Sequence, residues 1–217
     1  MTVAPPPASM PDPQVGRRPV VVGSVALVAL AALTAAVVLV DGPLPGEVAI
    51  IRWLQGLGPP AQAFAEVLQF TTGTEGNLIV GVVPAGLVVR RHGRRGMIAV
   101  VICVVSMLVI QPVSKELVDR DRPSQEQVDV RAEHTSRSYP SGHSLSTTTV
   151  FGAVAVRAAR TRRPGWAVLA SLPIPSTAVA SGILGVHWPS DWIAGTIIGG
   201  AAAWAAVQAL RRPPAGP

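Results

Sequence analysis

The chain has 217 residues, a formal charge of +6, 49% hydrophobic residues and only 14% charged ones. So little charge beside a positive mean hydropathy excludes an ordinary soluble domain and points to segments that cross a membrane. The arginines form short clusters between apolar stretches rather than one amphipathic stripe, which argues against a nucleic-acid partner, and the lone Cys103 excludes an intramolecular disulfide or thiolate metal cluster.

In chain order, the first 16 residues are proline-rich and aperiodic, so residues 1–18 read as a disordered cytoplasmic tail. Arg17 and Arg18 then precede an apolar run from Val20 to Val40, long enough to act as an uncleaved signal anchor. Six candidate spans follow from hydropathy, roughly 19–41, 74–90, 95–117, 141–159, 165–186 and 188–210. They form one domain over 19–211, with 212–217 as a second cytoplasmic tail. The second span is short and contains Pro84; the fifth is interrupted by Pro173 and Pro175.

Charge placement supports six crossings. Arg17/Arg18, Arg90/Arg91/Arg94/Arg95, Arg157/Arg160/Arg162/Arg163 and Arg211/Arg212 all fall on one side only if every segment crosses, and that side is cytoplasmic. In the first outer loop, about 42–73, Ile50, Ile51, Leu54 and Leu57 repeat at helical spacing near Trp53. An amphipathic helix is expected there, either lying in the interface or packed on the bundle. Trp188 and Trp192 belong where an outer aromatic belt would lie.

Three polar strings stand at the outer ends of apolar segments. Lys115 and Arg122 are seven residues apart, about two helical turns, and face one side if the helix persists. Their cations suit phosphate oxygens, Arg as a planar fork and Lys as a point charge. Pro140-Ser141-Gly142-His143 opens the fourth span, where first-turn amides and the helix dipole favour an anion. His187 and Asp191 are one turn apart, so a carboxylate can fix the imidazole tautomer and leave the other nitrogen free to attack. His92 reads as a solvated residue of an arginine loop, and His134 as an outer-loop residue.

Lys115 with Arg122-Pro123, then Pro140-Ser141-Gly142-His143, then His187 with Asp191, resemble in order the three signatures of the type-2 phosphatidic acid phosphatase superfamily. That superfamily also holds vanadium haloperoxidases and bacterial lipid phosphatases. The resemblance covers about residues 74–210. It implies an all-α, six-span membrane bundle with the family's haloperoxidase-like core. It further implies His187 as a nucleophile forming a phosphohistidine, Asp191 as its orienting carboxylate and His143 as the acid for the leaving oxygen. Lys115, Arg122, Ser141 and Gly142 would then hold the phosphate. Activity requiring neutral His187 and protonated His143 gives a bell-shaped pH profile.

One position departs from the pattern: Ser181 stands where the third signature has arginine. Losing two charge-assisted contacts of about 1.5–3 kcal/mol each would slow turnover by roughly two to four decades. Arg120, Arg131 or Arg137 from the outer loop are candidates to restore that charge, and a Ser181→Arg variant is expected to equal or exceed the parent. The reading is therefore a metal- and cofactor-independent lipid phosphatase of the cell membrane, both termini cytoplasmic and its site outside. Phosphatidate, phosphatidylglycerol phosphate and a polyprenyl diphosphate are the candidate substrates. A catalytically weakened or non-catalytic lipid-phosphate-binding membrane protein is the alternative that Ser181 favours; a transporter lacks paired broken helices.

Overall fold

A computed structural model describes residues 13–132 and 134–211; of the expected tails, 1–12 and 212–217 lie outside these, whereas 13–18 are helical rather than irregular. Among the described residues ten α-helices follow in order: α1 Pro13–Leu39, α2 Glu47–Gln55, α3 Pro59–Thr72, α4 Thr74–His92, α5 Arg94–Val105, α6 Gln111–Val118, α7 Gly142–Arg160, α8 Pro164–Ser171, α9 Pro173–Ile183 and α10 Pro189–Ala209. A five-residue π-helical stretch, Ser106–Ile110, joins α5 to α6 into one rod. No strand occurs among the described residues.

Among the described residues, four segments are long and apolar enough to cross a membrane: Val21–Leu39, Arg94–Val118, Pro164–Ile183 and Pro189–Ala209. A fifth arises if α3 and α4, bent by 53°, count as one span. Of the six expected, the span at α4 counts only together with α3, and the one at α7 does not count by apolarity. At 19 residues it has the length of a span, yet it buries Ser144, Ser146, Thr147, Thr148 and Thr149 in the middle of the bundle. The hydroxyls of Ser146, Thr147 and Thr149 are paired internally. Asn77 on α4 donates to Ser146 Oγ at 2.9 Å and Thr147 Oγ1 at 3.1 Å, and Thr149 Oγ1 lies 3.4 Å from Ser106 Oγ. Polar glue of this kind ties membrane helices together where apolar contact alone gives little preference.

Glycines set the central crossing. A methyl group at Gly195 would sit 2.5 Å from the Ser141 carbonyl oxygen, and one at Gly199 would sit 2.4 Å from that of Leu145. Further along, Gly152 faces Ala203. The pairs 195 with 141, 199 with 145 and 203 with 152 advance together, so α7 and α10 run parallel at close quarters. Small residues four apart permit such an approach between backbones. The crossing brings the starts of α7 and α10 to the same end of the molecule.

A second group of arginines occupies the other end: Arg91, Arg94 and Arg95 share a cavity with Leu210 at the close of α10, and Arg160 reaches Gln208. Val21, Val25, Leu27, Phe70, Ile79, Val82, Ile98 and Trp166 are exposed along the flanks, as lipid-facing positions should be. The chain is a multi-pass membrane protein.

The segment between α1 and α4 is largely helical. α2 buries Glu47, Ile51 and Leu54 and exposes Ile50 and Trp53, so it is amphipathic, but of the four residues at helical spacing only Ile51 and Leu54 face inward. α3 packs Ala65 and Leu68 against α9. The segment between α6 and α7 docks on α2 through Arg52 to the Gln127 carbonyl at 2.7 Å and Gln55 to that of Asp129 at 2.5 Å. Gly185 closes α9 with a φ of +65°, and a side chain there would meet the Asp129 carbonyl at 2.6 Å. Only glycine turns the chain so tightly at that point, immediately before Val186-His187.

Candidate active site

α6 ends at Val118 because Asp119 takes a left-handed φ of 52°, stopping the helix before Arg122. Lys115 and Arg122 therefore do not share a helical face as their spacing suggests; they meet through Ser136. Lys115 Nζ donates to Ser136 Oγ at 2.9 Å and to the Arg137 carbonyl at 2.6 Å. Arg122 donates to the Ser136 carbonyl at 2.6 Å, the Val186 carbonyl at 2.6 Å and Ser136 Oγ at 3.2 Å. Burial pulls the Arg122 guanidinium down to about 10, which leaves it a cation at neutral pH.

Arg122 also fixes the state of His187. Its Nη1 lies 3.3 Å from His187 Nε2, and a guanidinium can only donate. Nε2 therefore carries the lone pair and Nδ1 the hydrogen. Nδ1 faces Asp191 Oδ2 and Ser138 Oγ, both at 3.4 Å. Burial, with the Arg122 and Lys115 charges assisting, pushes His187 down to about 3 against the opposing pull of Asp191, so the ring is neutral at ordinary pH.

Asp191 is itself completely enclosed. Oδ2 accepts from Ser138 Oγ at 2.5 Å and from the Trp188 amide at 2.8 Å, and Oδ1 accepts from Arg120 Nη1 at 2.7 Å. The Trp188 contact makes Asp191 a cap for α10, which starts with Pro189 and satisfies one of its orphan amides this way. His187 stands just ahead of the helix, so capping and imidazole orientation share one carboxylate.

Ser141 has a different part from the one expected. Its amide donates to the Asp191 carbonyl at 3.0 Å and its hydroxyl caps α7 by accepting from the Ser144 amide at 3.4 Å. Neither is directed at an anion. The amides of Gly142 and His143 belong to the first turn, where a helix offers no acceptor of its own. Gly142 is closed in by the Gln111 side chain, 2.9 Å from where a methyl would be.

His143 joins a second group. Its Nε2 donates to the Gln69 carbonyl at 3.1 Å, and its ring meets His134 edge-on at 6.4 Å between centroids. His134 is thus a loop residue beside the site, held down to about 4 by burial and by the Arg122 and Lys115 charges. It lines a cavity of about 280 Å³ with Arg122, Thr135 and Val186.

All three arginines considered as substitutes for the missing third-signature charge are ion-paired. Arg120 bridges Glu47 and Asp191, each at 2.7 Å. Arg131 pairs with Asp129 at 2.8 Å, and Arg137 pairs with Asp119 at 2.5 Å and with Asp121. Carboxylates next to them in the loop and on α2 claim their charges. Ser181 is fully buried in α9, with its hydroxyl on the Thr177 carbonyl at 3.0 Å. The neighbouring Gly182 is packed against Leu54 and Trp192. An arginine at 181 has no room to enter, which reverses the expectation for Ser181→Arg.

Sequence reasoning missed Ser136, Ser138 and Glu47. The two serines sit in a polar loop without periodicity; a Ser-x-Ser just ahead of Pro140-Ser141 was their only signal. Glu47, at the start of an otherwise apolar amphipathic helix, carried a clearer one.

No curated protein matches the sequence. The family model of the PAP2 superfamily matches residues 95–213. Among solved structures, the fold is similar to the crystal structure of the first transmembrane PAP2 type phosphatidylglycerolphosphate phosphatase from Bacillus subtilis, at 17% identity and a TM-score of 0.72. That match covers 85% of this chain and 93% of the other. The family model takes in the Lys115–Arg122, Ser141–His143 and His187–Asp191 strings that the fold gathers at one end of the bundle, and it spans more than half of the chain; the protein belongs to the PAP2 superfamily.

Proposed function

We propose that the protein is a membrane lipid phosphatase that hydrolyses a lipid mono- or diphosphate through a phosphohistidine at His187, with protein cations in place of a metal. One observation carries the reading: Arg122 holds His187 Nε2 as a lone pair while Nδ1 faces Asp191. That is the tautomer a nitrogen nucleophile needs.

Lys115 and Arg122 neutralise the non-bridging oxygens, exchanging their present carbonyl and hydroxyl partners for phosphate. First-turn amides of α7 at Gly142 and His143 add donors at a positive helix end. Nε2 attacks phosphorus in line, the bond to the leaving oxygen breaks, and His143 protonates that oxygen. Water then displaces the imidazole and frees phosphate.

Placing the arginine-rich end in the cytoplasm follows the positive-inside rule and sets the site and the start of α10 on the outer side, both termini inside. The substrate would be met at headgroup depth. Phosphatidylglycerol phosphate gains weight from the solved relative's described activity; phosphatidate and polyprenyl diphosphates share the same reactive group. Phosphate release by detergent-solubilised protein from a panel of these lipids tests the proposal. Parent turnover abolished in both His187→Ala and His143→Ala is the expected result, and turnover indifferent to both would refute these roles.

Buried Ser181 and three ion-paired arginines favour a second reading, a slow enzyme or a lipid-phosphate binder. Lipid binding by the parent without phosphate release on any of the panel would select it.

A further inference from the structure

Behind His187 lies a buried charge arrangement that the roles above leave unused. Glu47, the first residue of α2, is 3% exposed. Its Oε1 accepts from the amide and hydroxyl of Ser190 at 2.8 and 2.6 Å. Its Oε2 accepts from Arg120 Nη2 and the Leu44 amide, both at 2.7 Å. Arg120, 6% exposed, gives Nη1 to Asp191 Oδ1 at 2.7 Å and to Ser190 Oγ at 2.6 Å. Its guanidinium carbon stands 5.7 Å from the centre of the Trp188 ring. Glu47, Arg120, Asp191 and His187 therefore form one continuous chain from α2 to the start of α10.

Enclosing charges is costly unless they balance. Arg120 alone with Asp191 would make a neutral pair, cancelling much of the carboxylate's field at the imidazole. Glu47 supplies a second anion to Arg120, so the three together carry one net negative charge. His187 needs that charge during the reaction. When Nε2 bonds to phosphorus, the leaving oxygen departs with the electron pair of the broken P–O bond. The ring, still holding its Nδ1 hydrogen, becomes a cation. When water attacks, the N–P electrons return to the ring and the cation disappears.

We propose that Glu47 is a positioning residue of this reaction: through Arg120 it keeps the Asp191 charge available to the cation that His187 becomes. The proposal rests on the phosphohistidine reading. A merely structural Glu47 would anchor α2 on α10 and affect only the amount of folded protein.

The test uses the full chain in detergent, with kcat and KM for a hydrolysed lipid phosphate and inhibition by orthovanadate, which mimics the transferring phosphoryl group. Thermal unfolding of each variant corrects for folded protein. Glu47→Gln is expected to lower kcat about tenfold or more, the equivalent of at least one pKa unit on His187. KM stays within about twofold, because ground-state phosphate binding is untouched, and vanadate inhibition weakens in step with kcat. Glu47→Asp restores most of the loss. Glu47→Gln combined with Arg120→Gln is faster than Glu47→Gln alone, because Asp191 again stands as one net negative charge.

A parental kcat in Glu47→Gln, or a double variant no faster than it, overturns the proposal. Should Glu47→Gln not accumulate, the double variant, which leaves no unpaired buried cation, decides alone. Activity within about tenfold of the parent supports the charge-balance role, and loss as deep as His187→Ala overturns it. A parent that releases no phosphate refutes the reading beneath as well. A parent silenced by His187→Ala yet indifferent to Glu47→Gln refutes this proposal alone.

Discussion

Replacing Gly195 by alanine tests whether the α7–α10 crossing holds the site together. The added methyl would lie 2.5 Å from the Ser141 carbonyl oxygen and 3.1 Å from the Leu145 amide nitrogen. Moving the first contact out to an ordinary 3.4 Å is a displacement of 0.9 Å, taken up by backbone because both neighbours are backbone atoms. Ser141 is also the residue whose amide is tied to the Asp191 carbonyl at 3.0 Å. The two helices therefore separate at the catalytic end, carrying His143 away from His187. Overpacking of this kind costs about 1–3 kcal/mol, and a misplacement near 1 Å costs roughly 10- to 100-fold in rate. Gly200→Ala is the control on the same helix, since its methyl meets only Thr148 Cγ2 at 3.9 Å; alanine there should be neutral or stabilising by up to about 1 kcal/mol. The assay pairs thermal unfolding in detergent with phosphate release. If Gly195→Ala matches Gly200→Ala in both, the crossing does not govern the site.

Ser138→Ala removes the hydroxyl bonded to Asp191 Oδ2 at 2.5 Å; a hydrogen bond to a charged group is worth about 1.5–3 kcal/mol, so kcat should fall roughly 10- to 100-fold, and an unchanged kcat would show the contact idle. Acidification should destabilise the fold. His187 is held down to about 3 by burial, so below its ordinary value of 6.5 the unfolded chain binds more protons. Stability is then full above 6.5 and falls with pH at up to about 1.4 kcal/mol per unit, and a thermal midpoint that stays flat or rises between about pH 7 and about pH 5 would contradict this. Ser181→Arg should lower the thermal midpoint and activity together, by forcing a long cation into a closed position of α9; a variant as stable as the parent and faster would revive the missing-arginine account.

Hydropathy made the all-helical bundle legible, yet gave no warning that α7 would be central. Its serines and threonines lower its apolarity, and the partners that let Ser146, Thr147 and Thr149 sit inside the bundle, Asn77 and Ser106, are far away in sequence. The site strings were legible for a related reason: each sits beside a helix end, where composition changes abruptly. What joins them was not. Lys115 and Arg122 converge through Ser136 only because Asp119 breaks the helix, and a residue with a left-handed φ has no periodic signature. Glu47 contacts Arg120 across 73 residues, a pairing that nothing in the local pattern around either residue specifies.

The nine-residue α2 faces two ways at once: Glu47 is tied into the Asp191 network, while Ile50 and Trp53 stand exposed on its outer side. The helix that sets the height of the glutamate is thus seated by whatever surrounds those apolar side chains. Catalytic rate becomes a reporter of the lipid environment, expected to rise from short-chain micelles to nanodiscs and to lose that dependence in Trp53→Ala. Equal kcat in both media for the parent would show that the seat of this helix is fixed by the protein alone.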